Sequence, residues 1–170
     1  LMEGKEEEIR PCICCHAGCF NMTRYKGSAN DQDLSDSLHM ARCAVNAETM
    51  QTNKHYIKKT SNPKKVAIVG GGIGGMETAR VLALRGHKPV IYEKADHLGG
   101  VFVPAASASF KGKLRDLIKW YKLQMEKLNV EIHLKKEGEQ AYVADERLQY
   151  KLVPLEKVVF GIYQNFDYTF

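Results

Sequence analysis

Five cysteines lie within the first 43 of 170 residues, and none occurs beyond them. Cys12, Cys15 and Cys19 follow a C-x2-C-x3-C spacing that puts three thiols on one tight loop, and Cys43 arrives after 23 intervening residues. Four thiolates are enough for a [4Fe–4S] cubane or for a tetrahedral zinc site. Zinc ribbons usually carry two C-x2-C knuckles, whereas one is present here, so the spacing leans toward the iron–sulfur cluster while leaving zinc as its competitor. The odd count, the crowding at one end and an N-terminus without a signal-peptide pattern argue against a disulfide framework. Cys14 reads as a neighbour of the ligands, and His16 as a residue that fills or hydrogen-bonds their surroundings. His39, His55, His87, His97 and His133 show no ligand spacing and read as surface residues.

The second chemical signal is Gly70-x-Gly72-x-x-Gly75, with Gly71 inside the same turn. In a dinucleotide-binding turn the first glycine permits the tight strand-to-helix reversal. The second lets the backbone approach a pyrophosphate, and the third lets helix pack on strand. The phosphates then sit at the positive end of the following helix, expected to begin near Gly75. Glu93, 23 positions beyond Gly70, is spaced to accept hydrogen bonds from ribose hydroxyls. An acid there disfavours a 2′-phosphate, so the adenosine expected is that of FAD or NAD. Gly99 and Gly100 follow the acid, and this pairing resembles the FAD-type branch of flavoproteins that bind two dinucleotides. No side chain stands out as a catalytic acid or base.

Both signals need elements to hold them. Val66–Val69 is a short β-rich run suited to a buried parallel strand, and a helical composition follows from Met76 to Arg85, closed by Gly86. Pro89–Glu93 reads as a second strand. A second helix is expected over Lys113–Leu128, where Leu114, Leu117, Ile118, Tyr121, Met125 and Leu128 share one face. Val130–Leu134 makes a third strand. The expected fold is therefore α/β: a partial Rossmann-type parallel sheet preceded by a cysteine-rich loop region. The division is 1–62 for the metal-binding segment, 63–136 for the dinucleotide-binding half-domain and 137–170 for an unassigned tail. A helical turn over Asp33–Met40 and a strand over Lys157–Tyr163 are weaker expectations.

The net charge of +5 does not point to a polyanion. Residues 1–62 balance 8 basic against 8 acidic side chains, and the excess of 17 over 12 in residues 63–170 is scattered among acids. No nucleic-acid partner is expected. Nor is a membrane span, because the apolar run from Val66 to Met76 is short and rich in glycine. The chain begins on Leu1, which suggests a piece of something longer.

Taken together, Ile9-Arg10-Pro11-Cys12-Ile13-Cys14-Cys15-His16-Ala17-Gly18-Cys19, Arg42-Cys43-Ala44-Val45-Asn46 and the stretch from Lys64 to Leu134 resemble one family. It comprises 2,4-dienoyl-CoA reductase, enoate reductase and trimethylamine dehydrogenase, the iron–sulfur NADH:flavin oxidoreductases of old-yellow-enzyme type. The resemblance runs from Ile9 to about Leu134. It implies that Cys12, Cys15, Cys19 and Cys43 hold a [4Fe–4S] cluster, and that Gly70, Gly71, Gly72, Gly75, Glu93, Gly99 and Gly100 line an FAD site. It also implies electron flow from NAD(P)H through FAD and the cluster to FMN on a TIM barrel that reduces an activated alkene. The barrel with its FMN, the NAD(P)H domain and the second half of the FAD domain have no counterpart in this sequence. Ala47 stands where the family usually has proline. The expectation is thus an electron-transfer fragment or split subunit that is completed by the missing barrel in an oligomer or complex and located in the cytoplasm. Two rivals remain: a non-catalytic nucleotide-binding module with a structural zinc knuckle, and a degenerate remnant of such an enzyme.

Overall fold

A computed structural model describes residues 4–19, 41–50 and 56–137. The expectations for Asp33–Met40, for Lys157–Tyr163 and for most of the tail lie outside those residues.

Three strands form a parallel sheet in the order β1-β2-β3, with β1 at Lys65–Val69, β2 at Lys88–Glu93 and β3 at Glu131–Leu134. Ile68 is opposite Ile91, which is opposite Ile132, so one apolar row crosses the sheet. Helix α1, Ile73–Leu84, connects β1 to β2, and α3, Gly112–Lys127, leads into β3. Between β2 and α3 the chain makes the single-turn helix α2 at Phe102–Ala105 and a 3-10 turn at Ser109–Lys111.

The core lies where α1 and α3 meet each other and the sheet. Ile68, Ile91, Met76, Leu117, Tyr121 and Met125 are buried there as one cluster. On α3 the expected stripe holds at Leu117, Ile118, Tyr121 and Met125, while Leu114 and Leu128 are only partly buried. Trp120 is buried as well, off that stripe, because a further segment covers it: its indole Nε1 donates to the Glu8 carbonyl at 2.8 Å. Glu8 ends a 3-10 turn at Glu6–Glu8, so the chain that leads to the cysteine loop lies along α3. Lys127 near the end of α3 reinforces this with ion pairs to Glu8 and, at 3.6 Å, to Glu7.

Two expectations need correction. Helix α1 starts at Ile73 rather than near Gly75, because Gly72 in extended conformation (φ −72°, ψ −176°) serves as its N-cap and the next two glycines are already helical. His87 is not a free surface residue. It is half-buried, and its Nδ1 accepts a hydrogen bond from the Lys64 amide at 3.1 Å, tying the entry of β1 to that of β2. Burial, with the charges of Arg85 and Lys64, holds its pKa below the usual imidazole value.

Among the described residues no helix is long and apolar enough to cross a membrane.

Candidate functional site

The carboxyl ends of parallel strands are where an open α/β sheet binds its ligands, and here they carry the glycines and the acid. Gly70 leaves β1 with φ +103°, a conformation glycine adopts without strain, and its amide donates to the Tyr92 carbonyl at 2.8 Å. That bond extends the β1–β2 ladder by one step. A methyl group on Gly75 would overlap the Gly70 carbonyl oxygen and come within 3.1 Å of its carbon, so the first turn of α1 sits directly on the strand end. The Gly99 amide donates to the Gly71 carbonyl at 2.9 Å, and Gly72 and Gly99 form a parallel bridge. A Cβ on Gly100 would lie 3.1 Å from Gly72 Cα. The two glycine segments thus pack backbone against backbone.

Glu93, at the end of β2, closes the group. It is 7% exposed, and its carboxylate accepts from the Gly71 amide at 2.5 Å and from the Ala95 amide at 2.8 Å. A carboxylate has about four acceptor positions, so capacity remains for two hydroxyls of a ligand. Gly70, Gly71, Gly72, Gly75, Glu93, Gly99 and Gly100 are therefore brought together at one place.

Above them, α1 opens with no side chain capping it. Its ladder begins when Met76 N–H donates to the Gly72 carbonyl at 2.9 Å, so the amides of Ile73, Gly74 and Gly75 precede the first intrahelical bond. A glycine-walled helix start with outward amides and a positive dipole can hold phosphate, and the adjoining carboxylate can hold ribose hydroxyls. A Cβ on Gly72 would meet nothing nearer than Gly100 Cα at 4.0 Å, which leaves the open side of the turn free for close approach. These features fit an adenosine diphosphate moiety without a 2′-phosphate.

The cysteines are less assembled. Cys12, Cys14, Cys15 and Cys19 are exposed and Cys43 is partly buried. The Arg42 amide donates to the Gly18 carbonyl at 2.9 Å, so the backbone just before Cys43 is paired with the backbone just before Cys19. The Cys14 amide donates to Cys12 Sγ at 3.3 Å, and Cys14 and His16 adopt left-handed backbone conformations (φ +56° and +55°) that turn the loop. Among the described residues, however, no three His, Cys, Asp or Glu side chains are gathered closely enough to hold an ion. The donor set and the pairing of its two segments suit a thiolate-bound group.

Sequence reasoning missed what joins these parts. Arg10 donates to the Val45 carbonyl and to Glu77 of α1, and lies over the Trp120 ring of α3. Arg115 on α3 donates to three carbonyls of the loop after α2, those of Ala106 (2.6 Å), Ala108 (2.8 Å) and Ser109 (2.8 Å). No local periodicity signals contacts across such separations. An arginine beside a cysteine motif and a tryptophan off its helix's apolar stripe were the available hints.

Comparison with known proteins places this geometry. A family model described as an NAD(P)-binding Rossmann-like domain matches residues 68–113. Cinnamate reductase of Clostridium sporogenes is 40% identical over 152 residues, which is 87% of this chain and 21% of that protein. NADH oxidase of Thermoanaerobacter brockii is 35% identical over 131 residues, covering 76% of this chain and 18% of the relative. Among solved structures, 2-naphthoyl-CoA reductase in complex with 2-naphthoyl-CoA superimposes with a TM-score of 0.67 at 30% identity, over 81% of this chain and 19% of that one. The chain thus spans about a fifth of the length of the relatives it matches.

Proposed function

We propose, from the relationship of this chain to a segment of the old-yellow-enzyme-like flavin oxidoreductases, that it is the FAD-binding, [4Fe–4S]-carrying electron-transfer portion of such an NAD(P)H-dependent enzyme. The observation that carries the reading is the single cradle formed by the Gly70–Gly75 turn, the Gly99–Gly100 backbone and the buried Glu93 carboxylate. Relatives named as reductases of cinnamate and of bilirubin, and as an alkene reductase, support an activated alkene or similar acceptor for the complete enzyme.

In this reading the amides at the start of α1 bind the pyrophosphate of FAD, and Glu93 accepts from the ribose while Gly71 and Ala95 hold its carboxylate in place. Cys12, Cys15, Cys19 and Cys43 are the metal ligands, paired as segments by the Arg42–Gly18 bond. When bound, a flavin and a thiolate-held cluster would supply the redox chemistry, as a two-electron acceptor and a one-electron relay. The protein's part is to position them and to set their surroundings. The chain acts as a fragment or split subunit, with residues 1–62 carrying the metal ligands and 63–136 the FAD site. A barrel that holds FMN and the substrate completes it in an oligomer or complex. Free thiols and a cluster suit a reducing compartment, the cytoplasm.

Cys19→Ser and Cys43→Ser separate the two sites. Each variant, reconstituted anaerobically with iron and sulfide, should lose the cluster absorption and retain ADP affinity within about threefold, since the adenosine site lies on other elements. Full iron and sulfide content in both variants would refute the ligand assignment.

A further inference from the structure

Arg10 stands two positions before Cys12, and its side chain is only 13% exposed. Its guanidinium meets three separate parts of the chain at once. One nitrogen donates to the carbonyl of Val45, two positions beyond Cys43. The other reaches Glu77 Oε1 on α1 at 3.4 Å. Its Cζ lies over the Trp120 ring of α3, 4.6 Å from the centroid.

The partners are themselves held. Arg80 grips the Glu77 carboxylate at 2.8 and 2.9 Å, which fixes it on the face of α1 turned toward Arg10. Trp120 is anchored through the Glu8 carbonyl. Tyr121 stays protonated beside Glu77, its pKa raised by burial and then by the carboxylate charge. A planar guanidinium can stack on a ring and donate in its own plane in two directions, whereas a lysine ammonium is a point charge that cannot do both. Arginine is therefore the side chain that this arrangement requires.

We propose that Arg10 is a positioning residue: it fixes both cysteine-bearing segments, and whatever metal group they hold, against α1, the helix whose first turn faces the dinucleotide cradle. The inference rests on the reading of those two sites given above. Glu77 lies only two residues beyond Gly75, so the clamp grips α1 about one turn from its phosphate-facing end. Electron transfer between two bound groups falls steeply with separation. A clamp at this point sets that separation without touching either group.

The test uses the full chain, prepared anaerobically, as wild type, Arg10→Gln and Arg10→Lys. Trp120 is the only tryptophan in the sequence and reports the clamp directly. In metal-free protein both variants should shift its emission to longer wavelength and raise acrylamide quenching several-fold, with the far-ultraviolet circular dichroism retained. After reconstitution with iron and sulfide, both should take up the cluster yet give a reduced-state paramagnetic resonance spectrum with g values displaced from wild type. Failure of lysine to restore either signal supports the bridging geometry over charge alone. Wild-type emission and quenching in Arg10→Gln would overturn the clamp, and so would an unchanged resonance spectrum. If wild type itself takes up no cluster, the ligand reading fails separately, and the Trp120 emission of metal-free protein still decides for or against the clamp. Should Arg10→Gln lose its circular dichroism, Arg10→Lys, which keeps the charge, decides by the same criteria.

Discussion

Gly72 and Gly75 belong to one turn, yet alanine should act on them in opposite ways. At Gly75 a methyl group would overlap the Gly70 carbonyl oxygen, which belongs to the peptide whose Gly71 amide donates to the Glu93 carboxylate and so cannot readily rotate away. Helix and strand must part, and overpacking of this kind destabilises by about 1–3 kcal/mol or more. At Gly72 the backbone is one that alanine adopts freely (φ −72°, ψ −176°), and the nearest atom to a new Cβ is 4.0 Å away. Reduced freedom of the unfolded chain stabilises such a change by about 0.4–1 kcal/mol. Alanine is also a poorer N-cap than glycine, by a similar amount, so the two contributions nearly cancel. The stability of Gly72→Ala should stay within about 0.5 kcal/mol of wild type by urea denaturation. Its effect should appear in the ligand. If the pyrophosphate approaches the turn at Gly72, the methyl group displaces at least one charge-assisted hydrogen bond. A bond of that kind contributes about 1.5–3 kcal/mol, or roughly 10- to 150-fold in affinity. Titration calorimetry with ADP and with FAD reads this directly. Wild-type affinity in Gly72→Ala would refute the close approach, and normal stability in Gly75→Ala would refute the backbone contact beneath it.

Two further outcomes follow from side chains that the site does not use. The pKa of His87 is held below its unfolded value of 6.5, chiefly by burial, so its contribution to stability is complete above that value and declines as pH falls from there through the folded pKa. Thermal denaturation between about pH 7.5 and 5 should show that decline in wild type and lose part of it in His87→Asn, whose side-chain oxygen can accept from Lys64 without titrating; equal slopes would contradict the assignment. Arg115→Met removes three bonds to the loop after α2 and should destabilise the chain by about 1–3 kcal/mol. Amide exchange over Ala106–Ser109 should accelerate in this variant while β1 and β2 remain protected, and uniform acceleration would mean that the arginine supports the whole fold.

The sheet and its two long helices were legible because local pattern and tertiary environment agree. Val66–Val69, an apolar run stopped by glycine, does form the parallel strand β1, although only Ile68 of it is buried and Val69 is exposed at the strand's end. The 3- and 4-residue steps of α3 do place Leu117, Ile118, Tyr121 and Met125 in the core. The glycines and Glu93 were legible for a related reason, since each responds to a constraint within one strand–turn–helix unit. Where α1 starts was not. Helical propensity argues against glycine, but a contact with the Gly70 carbonyl requires it at Gly75. Arg10, Trp120 and His87 were out of reach because their partners lie far along the chain: 67 residues from Arg10 to Glu77, 112 from Trp120 to Glu8 and 23 from His87 to Lys64. Periodicity carries no trace of such pairs.

The proposed function requires one short chain to carry both a thiolate-held cluster and a flavin site. It is tested most directly by the iron, acid-labile sulfide, zinc and flavin content of anaerobically purified protein, with an absorption spectrum of the same sample. About four irons and four sulfides per chain, together with bound FAD, are expected. Zinc without sulfide, or protein that holds neither metal nor flavin after reconstitution, would contradict the proposed function.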